Sequence, residues 1–224
     1  MSAWSALIFD LDGTLIDSAP DIAKALNVGF ALNHWPVLTA AHIEQFIGNG
    51  PRRLIIDILE DLGLAYDEAE VQRAFDGYLQ AYLEDPAGST RFFPHVREDL
   101  QALRDAGIRL GICTNKNHAV TGKVLEQLGL SELFDVALGA DAVPACKPAP
   151  GHLLAVAEAM DLAVGAWAYV GDTSVDQRTA LDAGVPFFVV PWGGGPLVQT
   201  SQAQRLSRLV DLLECSPAVA KEQK

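Results

Sequence analysis

The sequence predicts a doubly wound parallel α/β fold with a small helical unit inserted near its start. Three observations predict it. Short apolar runs bounded by turn or acidic residues recur at 6–9, 110–113, 136–138, 168–170 and 187–190, as suits strands buried on both faces of a parallel sheet. Helical spacings fall between the later runs and stop at glycines. Between Ile22 and Leu83 there are helical patterns but no strand pattern.

The run 6–9 opens the sheet and delivers the chain to Asp10. Ile22, Leu26 and Phe30 mark an amphipathic helix, and Leu54, Ile55, Ile58 and Leu59 mark another that ends before Gly63. These helices belong to the inserted unit, residues 17–90. The sheet-forming core is therefore discontinuous, residues 1–16 and 91–224, and the insert is expected to sit as a cap over the edge of the sheet. After it, Val96, Leu100 and Leu103 follow helical spacing up to Gly107, and Val120, Val124 and Leu128 repeat the device up to Gly129. The alternation across residues 91–191 implies right-handed crossovers with helices on both faces, a Rossmann-like core. Residues 153–170 contain Glu158 and Asp161 and resolve into helix, loop and strand, not a membrane segment.

The 224 residues are half apolar and one fifth charged, which excludes a disordered or fibrous chain. The formal charge of −13 argues against nucleic acid and anionic membrane surfaces as partners. It also repels a small phosphorylated ligand, so a site for one needs a metal ion or locally focused positive groups. Cys113, Cys146 and Cys215 cannot all pair and lack zinc or redox spacing, so reduced thiols are expected. The first residues lack a basic start and long apolar stretch, which points to the cytoplasm. The five scattered histidines form no ligand pair at helical spacing.

Ligands of an open parallel sheet bind beyond the carboxyl ends of its strands. Asp10 and Asp12 follow the first strand there, Thr114 and Asn115 the second, and Asp172 and Asp176 the fourth; Lys147 follows the third through a longer loop. Asp-x-Asp-Gly alone is equally an acidic turn, and a calcium loop would need further ligands ending in Glu. Thr114 alone reads as a strand-end cap and Lys147 alone as a surface lysine. Their joint placement at strand ends favours a site. Three carboxylates at one rim persist only beside a hard cation, and Mg²⁺ suits oxygen ligands and phosphate chemistry. Thr114 could then hold phosphoryl oxygens while Lys147 neutralises developing charge.

The order Asp10-Leu11-Asp12-Gly13-Thr14-Leu15, Thr114-Asn115-Lys116, Lys147-Pro148-Ala149-Pro150 and Gly171-Asp172-Thr173-x-x-Asp176 resembles the four motifs of the haloacid dehalogenase superfamily, over nearly the whole chain. The resemblance implies that Asp10 is the nucleophile and Asp12 the general acid and base. It implies Mg²⁺ held by the Asp10 carboxylate, the Asp12 carbonyl and Asp172, with Asp176 in support. Thr114, Asn115 and Lys147 would hold the phosphoryl group. Halide departure needs no proton, so Asp12 favours phosphoryl transfer over dehalogenation.

The cap segment Phe46-Ile47-Gly48-Asn49-Gly50-Pro51-Arg52 is similar to that of phosphoglycolate phosphatases. Gly48, Asn49 and Gly50 would present N–H groups to an anion, and Arg52 or Arg53 would pair with a substrate carboxylate. Two departures weaken the assignment of substrate: Pro191-Trp192-Gly193-Gly194-Gly195 after the last strand, and Gln177-Arg178-Thr179 after Asp176. The implied activity is Mg²⁺-dependent hydrolysis of a small phosphorylated metabolite, first 2-phosphoglycolate, by a monomer or homodimer. Amino-sugar or other sugar phosphates and a β-phosphoglucomutase-type transfer are the alternatives. Chain length, cap and Asp12 stand against a signalling receiver domain.

Overall fold

The computed structural model describes residues 4–215. Five parallel strands form one sheet: β1 (Ala6–Phe9), β4 (Arg109–Cys113), β5 (Val136–Leu138), β6 (Trp167–Gly171) and β7 (Phe187–Val189), in the order β5-β4-β1-β6-β7. From β1 the chain builds outward on one side, then crosses back to build β6 and β7 on the other. The strand order therefore reverses beside β1, and the crevice that such a reversal opens lies at its carboxyl end.

Each expected run forms a strand of this sheet. The last stops at Val189; Val190 still donates to the Gly171 carbonyl, and Pro191, with no N–H, cannot carry the ladder on. Alternate residues of β1 divide between the faces. Leu7 and Phe9 pack with α5 (Val96–Asp105) and α6 (His118–Gln127), whereas Ala6 and Ile8 pack with α7 (Pro150–Ala159) and α8 (Ser174–Ala183). All four β1 side chains are fully buried, which is why the run lacks polar alternation.

Between β2 (Ile16–Asp17) and β3 (Arg91–Phe92) lie four helices: α1 (Ala19–Ala31), α2 (Ala40–Glu44), α3 (Pro51–Asp61) and α4 (Glu68–Glu84). Ile22, Leu26 and Phe30 of α1 and Val71, Ala74 and Tyr78 of α4 join the same apolar cluster as Leu7 and Phe9. The helices α1 and α4 cross closely at Gly29, where a Cβ would stand 2.2 Å from the Ala74 carbonyl oxygen.

The strands β2 and β3 pair antiparallel, Ile16 opposite Phe92 and Asp17 opposite Arg91, an element absent from the sequence expectation. Two residues a side are too few for a period to register. Buried Asp21 reinforces the crossing: its carboxylate accepts from the Ser89 and Thr90 amides at 2.9 and 2.7 Å and from the Thr90 hydroxyl at 2.7 Å. Cys113, Cys146 and Cys215 are free thiols. No helix among the described residues is long and apolar enough to cross a membrane.

Candidate active site

The carboxyl end of β1 places Asp10 at the centre of the crevice, where its amide donates to Val170 at 2.9 Å and extends the parallel ladder by one bond. The chain then turns tightly. Gly13 sits at φ +83°, a left-handed conformation that favours glycine, and a Cβ there would stand 2.3 Å from Asp172 Oδ2. The turn brings the Thr14 hydroxyl to Asp172 Oδ1 at 2.7 Å, and the Gly194 amide holds Asp172 Oδ2 at 2.9 Å.

Asp176 is the third residue of α8 and completes a capping box with Thr173. Its Oδ2 accepts from the Thr173 hydroxyl at 2.6 Å and amide at 3.0 Å. Its Oδ1 accepts from Lys147 Nζ at 2.6 Å and the Tyr169 hydroxyl at 2.8 Å. The same ammonium lies 2.9 Å from Asp10 Oδ1 but off the line of a hydrogen bond, so this buried oxygen has charge beside it and no aligned donor.

Asp10, Asp172 and Asp176 each present a carboxylate oxygen within 4.8 Å of the others, and all three are buried. Burial, with the charge of Asp176 and Asp12 added, pushes Asp10 up to about 7 against the attraction of Lys147. Burial and the charges of Asp176 and Asp10 push Asp172 up to about 8. Burial acts on Asp176 too, but Lys147 and the Thr173 and Tyr169 hydrogen bonds outweigh it and hold that carboxyl below the usual range. Lys147 is held protonated, its burial overcome by Asp10 and Asp176. One ammonium therefore contacts two of the three buried carboxyls, Asp10 and Asp176, and leaves Asp172 without a cation. The all-oxygen donor set, the unaligned Asp10 oxygen and the space that Gly13 leaves beside Asp172 fit a hard divalent cation.

Asp12 faces away from this cluster. Lys116 Nζ contacts both of its oxygens, at 2.8 and 2.9 Å, and the Ser18 hydroxyl donates to Oδ1 at 2.5 Å. The same ammonium donates to the Tyr82 hydroxyl at 2.7 Å and lies 4.4 Å from the Tyr82 ring centre, joining the core to α4. Thr114 extends β4 by donating its amide to Leu138 at 3.1 Å, and its hydroxyl accepts from the Lys116 amide at 3.2 Å. Asn115 Nδ2 donates to the carbonyls of Gly48 and Lys147, each at 2.9 Å, and so latches the cap loop to the core.

Asp10, Asp12, Thr114, Asn115 and Lys116 share a cavity of about 30 Å³ with Gly48 and Gly50; its wall on the cap side includes Ile22, Ile47, Pro51, Leu54 and Tyr78. Gly50, at φ +83°, caps α3, with Pro51 in the first turn. Asn49 lines the neighbouring cavities instead. Arg52 and Arg53 pair with acids and a glutamine of the cap. Arg52 binds Glu68 and Gln72, Arg53 binds Asp57 and Glu60, and both line a neighbouring cavity with Gly50, Asn117, Asp141 and Cys146. Trp192 stacks on Phe93 at 5.6 Å and donates to the Thr14 carbonyl, a packed strand-end aromatic.

The sequence reading did not single out Ser18, Tyr82, Tyr169 or Thr173. Only Thr173 carried a signal, the Thr-x-x-Asp spacing of a capping box. Lys116 was visible in its motif but had no assigned partner.

A family model of haloacid dehalogenase-like hydrolases matches residues 7–190. The chain is 42% identical to a phosphoglycolate phosphatase of Cereibacter sphaeroides over 184 residues, covering 81% of this chain and 82% of that one. It is 34% identical to a phosphoglycolate phosphatase, plasmid, of Cupriavidus necator, over 96% and 92% of the two chains. Among solved structures, a predicted phosphoglycolate phosphatase of Haemophilus somnus superposes with a TM-score of 0.83 at 26% identity, covering 96% of this chain and 98% of that one.

Proposed function

The chain belongs to the haloacid dehalogenase-like hydrolases, and from that premise we propose that it is a Mg²⁺-dependent phosphatase that hydrolyses 2-phosphoglycolate through an aspartyl phosphate on Asp10. The observation that carries the proposal is the buried trio of Asp10, Asp172 and Asp176 at the strand-order reversal, with Asp12 lining the same cavity as Asp10.

A carboxylate oxygen of Asp10 attacks phosphorus, the bond from phosphorus to the ester oxygen breaks, and Asp12 gives its proton to the departing alkoxide. Water then attacks the aspartyl phosphate, Asp12 takes its proton, and the acyl oxygen to phosphorus bond breaks to free Asp10 and inorganic phosphate. Thr114 and Asn115 orient the phosphoryl oxygens, and the Lys147 charge favours the ionised form of Asp10 against its burial. The Asp10 carboxylate, the Asp12 carbonyl and Asp172, with Asp176 in support, would hold Mg²⁺, whose charge would let a phosphate dianion approach these acids.

The division of labour we propose follows the crossing ribbon: a core of residues 1–16 and 91–224 performs the chemistry, and a cap of residues 17–90 covers it. The apolar wall of Ile22, Ile47, Pro51 and Leu54 suits a short substrate better than a polyhydroxylated sugar phosphate. The enzyme would act as a monomer or homodimer in the cytoplasm, where a reducing environment suits its three free thiols. Purified protein should release phosphate from 2-phosphoglycolate with Mg²⁺ and stop when the metal is chelated. Asp10→Asn should lower kcat by at least about a thousandfold; turnover retained in that variant would sink the mechanism.

A further inference from the structure

The cavity beside Asp10 poses a charge problem that the phosphoryl machinery leaves unsolved. A phosphate ester that also carries a carboxylate, such as phosphoglycolate, brings a second anionic end, and the cavity is walled in part by Ile22, Leu54 and Tyr78. An unpaired carboxylate against such a wall loses its hydration with nothing in return. Lys147 does not line this cavity, and its ammonium sits between Asp10 and Asp176. Arg52 and Arg53 point into the acidic surface of the cap helices.

Among the described residues that line the cavity, Lys116 is the only cation. We propose that Lys116 selects acid-bearing phosphate esters, by pairing with the carboxylate that such a substrate carries beside its phosphoryl group. The proposal rests on the phosphatase reading above and adds the residue that reads the rest of the molecule.

Lys116 suits the role for three reasons. Its position is fixed by the turn after β4, which also places Thr114 and Asn115, so phosphoryl and carboxylate contacts would come from one rigid segment. Its ammonium lies 2.8 and 2.9 Å from the two oxygens of Asp12, and it lines the same cavity as Asp10, Thr114 and Asn115. Its donors are spent on Asp12 and on the Tyr82 hydroxyl, and a flexible four-carbon stem lets the ammonium turn one of them toward a ligand while staying over the Tyr82 ring. Arginine, with a planar fork, would meet Asp12 and a ligand less freely.

The test compares two esters of matched size on the same preparation: 2-phosphoglycolate, and 2-hydroxyethyl phosphate, in which a hydroxymethyl group replaces the carboxylate. The ratio of their kcat/KM values is independent of the folded fraction. In Lys116→Met the ratio should fall about thirtyfold or more, mainly through KM for phosphoglycolate, and Lys116→Arg should recover part of it. Lys116→Gln, which keeps polarity without charge, should behave like Lys116→Met and guards against a packing defect. Both esters slowing by one factor in all three variants would overturn the proposal and leave Lys116 as a residue that only steadies Asp12. If wild-type protein releases phosphate from neither ester, the phosphatase reading itself fails, and that result is seen before any variant is made.

Discussion

Replacing Asp172 with Asn should stabilise the metal-free protein while destroying its response to Mg²⁺. The carboxylate oxygens of Asp10, Asp172 and Asp176 lie within 4.8 Å of one another. At an effective dielectric constant of about 20, two unit charges at that separation repel by about 3 kcal/mol. Lys147 offsets part of this for Asp10 and Asp176, which it touches, but makes no contact with Asp172 among its ion pairs.

Asparagine keeps the local hydrogen bonds, since its oxygen can accept from Gly194 and its amide can donate to Thr14. A net gain of about 1–3 kcal/mol is expected, or a rise in Tm of about 2–10 °C for a chain of this size. The sign of the pH dependence follows from the Asp172 carboxyl, raised from its ordinary 3.8 to about 8. Its contribution to stability is fully present below the unfolded value and is lost as pH rises through the folded one. Thermal unfolding in chelator should therefore show the gain at pH 8 and little of it at pH 5, where wild-type Asp172 already carries a proton. Added Mg²⁺ should raise Tm of the wild type and leave Asp172→Asn almost unmoved. A lower Tm for the variant at pH 8 in chelator would refute the account of the carboxylate cluster.

Two further outcomes follow from the same geometry. Gly13→Ala should lower kcat at least about a hundredfold and cost about 1–3 kcal/mol in unfolding experiments, because its Cβ meets Asp172 Oδ2 at 2.3 Å and its φ is +83°; near wild-type activity would mean that the turn relaxes freely. His152 is buried, its Nε2 bonds the Leu138 carbonyl and its Nδ1 has no partner, and burial with the nearby Lys147 charge pushes its pKa down to about 4. That contribution to stability is present above the unfolded pKa of about 6.5 and is lost as pH falls toward 4. The difference between wild-type and His152→Leu unfolding curves should therefore slope by up to about 1.4 kcal/mol per pH unit in that window, and a flat difference would show that His152 is not the titrating group.

The sheet was legible in the sequence because parallel strands bury both faces, so β1, β4, β5, β6 and β7 each appear as an unbroken apolar run. The cap helices were legible through their amphipathic period. The ribbon of β2 and β3 was not, since its pairing is a long-range event between dipeptides with no pattern of their own. At the site, carboxylates and Thr114 were legible because chemistry restricts which residue types can stand at a strand end. The pairing of Lys116 with Asp12 and Tyr82 was hidden, because a lysine in a turn looks the same in sequence whether it meets solvent or a carboxylate from 104 positions away. The pairing of Arg52 and Arg53 with Asp57, Glu60 and Glu68 was hidden too, because proximity to the glycine loop in sequence says nothing of which acids a long side chain meets.

The ribbon of β2 and β3 makes the insert an exchangeable part. With Ile16 opposite Phe92 and Asp17 opposite Arg91, the chain departs and returns at neighbouring points about 5 Å apart, a socket whose width is independent of what fills it. The entropy of closing such a loop grows only with the logarithm of its length, about 0.6 kcal/mol for each doubling. Helices can therefore be added, lost or replaced between these two strands at little cost to the sheet, and the part of the molecule that meets the variable end of a substrate can diverge while Asp10, Asp172 and Asp176 stay where they are.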